Sequence, residues 1–160
     1  MTPPRHRHGQ SLVELAIVLP VFILVIFGLA VLIQQVLTTN ATVAAARVAV
    51  AQAATSGSFA PMQDGITYSL GTTDAAGHPV ASGPVADIAR VSLGGAGVIS
   101  DLSAATITVR CQSTPCRRYQ KLAVRITYAS DSWVGLPFLD HINADESAVR
   151  ANEVDQQVAP

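Results

Sequence analysis

The chain has 160 residues and a mass of 16.7 kDa, which bounds it to one ordinary domain plus an appendage. Hydrophobic residues make up 49% and charged residues 13%, about half the usual charged share of a soluble globular domain, so part of the chain is expected to avoid water. Ten Lys and Arg against eleven Asp and Glu leave a formal net charge of −1, which supplies no field to draw in nucleic acid and argues against DNA or RNA as a partner.

The first eight residues carry Arg5 and Arg7 and no acid. From Leu15 to Ile33 follow 19 residues without a charge or a hydrogen-bonding side chain, a helix of about 28 Å that matches the ~30 Å hydrocarbon core of a bilayer. A buried core helix is the alternative, but such apolar runs usually span about 10 to 14 residues. Pro20 and Gly28 interrupt the run, which a membrane helix tolerates better than a soluble one. From Gln34 to Ala60 the only charge is Arg47, so the amino terminus is expected in the cytoplasm and the remainder across the membrane. A cleaved secretory signal would have a shorter apolar core ending at small residues. Here the run ends in Gln34, Gln35, Val36 and Leu37.

Glu14 stands alone at the edge of this run. One reading places it at the headgroup level, where an ionised carboxylate costs little. The other involves Gly9. Cutting after Gly9 makes Gln10 the first residue and creates a free amine one turn from Glu14, a natural counter-ion in the same chain or a neighbour. A basic leader, Gly9, four residues, Glu14 and a membrane-length helix together resemble the type IV pilin signal, which a prepilin peptidase cuts on the cytoplasmic side. The wording GQSLVELAIVLPVFILVIFGLAVLI is similar to the start of TadE-like proteins, minor pilins or pseudopilins of the Flp/Tad pilus system. The resemblance implies a prepilin peptidase, other Tad pilus subunits and membrane lipid as partners, with no nucleic acid, small-molecule substrate or cofactor. It also implies a bacterial cytoplasmic membrane location with an exported carboxyl-terminal domain.

The segment TTNATVAAARVAVAQAAT, residues 38–55, has good helix propensity and no glycine or proline. It is expected to extend the membrane helix to about Ala54 as one rod. TadE-like proteins resemble this alanine-rich, arginine-bearing stretch, to which Ala44, Ala45, Ala46 and Arg47 correspond. Its small side chains suit close packing against other subunits, or simply make a stalk of high helix propensity.

Residues 55–84 are rich in Ser, Gly, Asp and Pro and read as turns around a short strand, ITYSL. PVADIARVSL, residues 84–93, reads as a short amphipathic helix with Pro84 at its first position, closed by Gly94 and Gly95. In ATITVRC the side chains of Ile107, Val109 and Cys111 share a face, and in KLAVRITY those of Leu122, Val124, Ile126 and Tyr128 do. The two strands are expected to pair as an antiparallel hairpin with one buried face. Ile142–Val149 is a weaker candidate for a further strand. Two cysteines are too few for a disulfide framework, and C-x4-C without further Cys or His is a poor zinc site. A local bridge between Cys111 and Cys116 fits an exported domain, and two free thiols a reducing compartment.

No phosphate loop, nucleophile elbow or HExxH is present. Asp140, His141 and Asp145 are close in sequence but read as solvated surface groups. Arg117, Arg118, Lys121 and Arg125 form a basic run on the hairpin, read as a solvated loop in preference to a docking surface. The expected organisation is α+β: a leader at 1–9, a long amino-terminal transmembrane and stalk helix at 10–54, and a small exported domain at 55–160 with an antiparallel sheet and a short helix. The expected role is structural, by helix packing, with no catalytic or metal site. The rival is an uncut membrane anchor bearing an exported binding domain.

Overall fold

The computed structural model describes residues 8–72, 76–97, 99, 101–113, 115–131 and 141–153. Helix α1, His8–Ser56, runs for 49 residues and continues through Pro20; at 1.5 Å per residue it is about 73 Å long. Its two halves have opposite environments. Every residue from Val13 to Phe27 is exposed, whereas the second half carries a buried stripe at Thr38, Ala41, Thr42, Ala45, Ala46, Ala49, Val50, Ala53 and Ala54. Spacings of three and four residues keep that stripe on one side of the helix.

Four antiparallel strands in the order β1-β2-β3-β4 form one sheet: β1 (Thr67–Ser69), β2 (Ala105–Cys111), β3 (Lys121–Asp131) and β4 (His141–Ala151). The expected hairpin is β2–β3, with Ile107 opposite Ile126, Val109 opposite Val124 and Cys111 opposite Leu122. One sheet face is apolar and buried, with Ala105, Ile107, Val109, Leu122, Val124, Ile126, Tyr128, Ile142 and Ala144 at 5% exposure or less. The second half of α1 lies on that face along β3 and β4, and the short helix α2 (Pro84–Gly95) packs beside it. Alanines on both surfaces, from α1 and from β4, allow the helix to sit close to the sheet.

Helix α2 starts with Pro84 at its first turn, as the pattern predicts, and buries Val85, Ala86, Ala89 and Leu93. It runs through Gly94 and Gly95, and the chain turns away only at Gly97, where φ is 66°. Gly83 precedes it at φ 94°, and a Cβ there would lie 2.7 Å from the Ala60 carbonyl oxygen, so two loops meet at a point that admits no side chain. Between β1 and α2 the chain is fastened by Arg90. Its Nε donates to the Leu70 carbonyl at 2.6 Å, Nη2 donates to the Ala81 carbonyl, and Nη1 bonds Asp87 at 2.9 Å.

Candidate functional site

Gly9 and Gln10 lie in the first turn of α1, and Glu14 follows in the next turn on its exposed surface. The large hydrophobic residues beyond it, from Leu15 to Phe27, are each 40% exposed or more. A core helix would bury those groups against its own domain, and α1 does not. Among the described residues, α1 is the helix long and apolar enough to cross a membrane.

The boundary of the exposed half is marked by a contact. Gln35 Nε2 donates to the Asn143 carbonyl at 2.7 Å, near the start of β4. At the far end, Glu153 N–H donates to the Ala54 carbonyl at 3.1 Å. Between these contacts α1 and β4 run in the same direction, 19 helical residues (about 28 Å) alongside ten residues of extended chain (about 33 Å). The domain is therefore tied to the helix at both ends of their shared length.

This placement changes the reading of the alanine-rich segment. Ala45, Ala46, Ala49 and Ala53 are 0 to 1% exposed against the chain's own sheet and α2. They are occupied within the chain and are not a surface for other subunits. The helix side turned away from the sheet carries Val36, Leu37, Asn40, Ala44, Arg47 and Val48, all exposed.

Cys111 and Cys116 are joined, with Cα atoms 5.5 Å apart, a span ordinary for a disulfide. The Cys111 N–H is capped by Asp64 Oδ1 at 2.8 Å. Of the basic run, Arg125 separates from the rest. It lies on the open, polar face of the sheet, where its Nε bonds Asp145 at 2.6 Å and its Nη2 bonds the other carboxylate oxygen. The Arg125 guanidinium, chiefly through this hydrogen bond, holds the Asp145 carboxyl below its ordinary value. Arg117, Arg118 and Lys121 stay together at the β2–β3 turn. His141 pairs with Asp131 at 3.0 Å across the β3–β4 ladder, not with Asp145; Asp140 lies outside the described residues. Among the described residues no group of three His, Cys, Asp or Glu side chains is placed to hold a metal ion.

Two residues with central roles escaped the sequence reading. Asn152 is 1% exposed; its N–H donates to Gln120 O and its carbonyl accepts from Tyr119 N–H, both at 2.8 Å. Arg90 is the other. Neither stands in a motif, because, Asp87 apart, the partners of each are backbone groups distant in sequence.

No curated protein and no solved structure gives a match. Residues 9–51 match the model of the family described as TadE-like protein. That span takes in the exposed half of α1 and most of the half packed on the sheet, and ends before the sheet begins, so the similarity is carried by the helix.

Proposed function

We propose that the chain is a pilin-like structural or assembly protein of a Tad-type pilus or related secretion apparatus. It is made as a prepilin, anchored in the cytoplasmic membrane by the first half of α1 with its amino terminus inside, and cut after Gly9. The observation that carries this reading is the TadE-like match, which begins at Gly9 and covers the exposed apolar helix. An apolar surface of that length is stable only in lipid or against other apolar helices, and a pilus-like assembly offers both in succession. Because the alanine stripe is spent on the chain's own domain, association falls to the first half of α1 and to the outward strip of Val36, Leu37, Ala44 and Val48. The role is packing, with no chemistry asked of any side chain.

The test is the intact mass of the protein extracted from membranes of its own cells, with and without the prepilin peptidase. A peptidase-dependent mass beginning at Gln10 is expected. A full-length mass in both cases would overturn processing and leave an uncut anchor carrying an exported binding domain.

A further inference from the structure

The turn between β2 and β3 lies at the end of the domain farthest from the exposed half of α1. Tyr119 N–H bonds Asn152, and the neighbouring Glu153 bonds Ala54 near the helix end. That places the turn about 28 Å along the helix axis from Gln35. Within it Tyr119 has φ 67°, alone among the described non-glycine residues in lying at positive φ, and the residue is 74% exposed. A left-handed conformation is unfavourable for a residue with a Cβ, and a large exposed ring gains nothing from burial to offset that. Glycine would fit the backbone better.

The conformation is held from below. Asn152 clasps Tyr119 and Gln120 through their backbones, and Gln120 Oε1 accepts from Arg117 N–H at 3.1 Å and from Ser113 Oγ at 2.8 Å. Cys116, 4% exposed, is joined to Cys111. A strained residue braced on several sides and presenting its ring to solvent is a pre-organised contact.

The chemistry offered is specific. The Arg118 guanidinium sits 4.9 Å from the centroid of the Tyr119 ring, and Arg117 and Lys121 are exposed beside it. Glu153, next to Asn152, is engaged by Arg150 at 2.7 Å. The N–H groups of Arg117, Tyr119 and Gln120 and the carbonyls of Arg117 and Gln120 are spent inside the turn and on Asn152, so recognition falls chiefly to side chains. Strands β2 and β3 are both interior to the sheet, so neither offers an edge on which an extended peptide would add. A ring face beside guanidinium and ammonium groups suits a ligand with a flat C–H face and a carboxylate on one unit, which is a uronic acid.

We infer that this turn is a binding site for an anionic, uronate-type polysaccharide, with Tyr119 stacking on the sugar and Arg117 and Lys121 holding its carboxylates beside the Arg118 guanidinium that lies over the ring. The inference does not depend on cleavage after Gly9. The full chain in detergent micelles is tested for binding to polygalacturonate at low salt, with neutral dextran and poly-glutamate as the other arms. Polygalacturonate is expected to bind, weakening with salt, and the other two to bind at least about tenfold more weakly, the contribution of one stacked or cation–π contact. Tyr119→Gly is expected to lose about tenfold in affinity while its thermal midpoint stays level or rises. Tyr119→Asn, a residue that tolerates positive φ, is expected to lose binding in the same way. Unchanged binding in both variants, equal binding of dextran or poly-glutamate, or a lowered thermal midpoint in Tyr119→Gly would each overturn the proposal, the last by showing that the ring is structural.

Discussion

Arg90 supports a loop from a distance. The carbonyls of Leu70 and Ala81 accept from its guanidinium fork, and Asp87 one turn away on α2 orients it. Arg90→Ala leaves both carbonyls without that donor and is expected to lower stability by about 1–3 kcal/mol. Arg90→Lys should recover only part, because an ammonium has no fork to span both carbonyls. Equilibrium urea unfolding of the full chain in micelles checks both. Asp145 and Arg125 present a different case, since the pair is exposed and contributes little to stability. Its signature is in titration. With the folded-state Asp145 held below the ordinary 3.8 by Arg125, its contribution is present at neutral pH and is lost as the pH falls below 3.8 through the folded value. Arg125→Gln should move the Asp145 midpoint back up toward 3.8, read by NMR of the carboxyl carbon. An unmoved midpoint would assign the shift to Thr127, whose hydroxyl also reaches Asp145 at 3.4 Å.

At the scale of elements, the second half of α1 and the sheet are matched by small side chains. Ala45 and Ala49 are wholly buried while Ala44, beside Ala45 in sequence, faces outward. Ala45→Leu or Ala49→Leu should cost about 1–3 kcal/mol by overpacking, and Ala44→Leu should stay within about 0.5 kcal/mol. The same unfolding measurement on the three variants decides whether the alanines serve the domain or a neighbour. Equal, small effects would mean that the seam is not packed as described. The β2–β3 hairpin depends on a second local device. Closing the short Cys111–Cys116 loop contributes about 2 kcal/mol in the chain-entropy account. A Cys111→Ser, Cys116→Ser double variant should be less stable by that amount, with no further loss on adding reductant, whereas the parent should lose it on reduction.

For the whole molecule, the two fastenings of α1, at Gln35–Asn143 and Ala54–Glu153, make helix and domain one body along their shared length. Force or position passed along the helix reaches the domain without a hinge, which suits a subunit that is lifted or stacked. Glu14 sits on the exposed half of the same helix, beyond that shared length. If it fixes axial register by meeting an amino terminus, Glu14→Gln should leave the folded domain and membrane insertion intact and abolish assembly, scored by recovery of the protein in sheared pilus fractions. Normal assembly of that variant would remove Glu14 from the account.

Elements with a local signal are legible in the sequence: the membrane-length run, the alternation of β2 and β3, Pro84 at the start of α2, and the similarity of the opening helix to TadE-like proteins. These follow from periodicity and from residues whose meaning is carried by neighbours a few positions away. Tertiary structure alone decided what the alanines face, because an alanine stripe serves a sheet and a second helix equally well and only the docking of β3 and β4 selects between them. It likewise decided that Arg125 leaves the basic run for Asp145, 20 positions on, and that Asn152 braces Tyr119, 33 positions back. Those partners meet because antiparallel pairing brings distant residues opposite one another, and no local pattern in the chain encodes the register of that meeting.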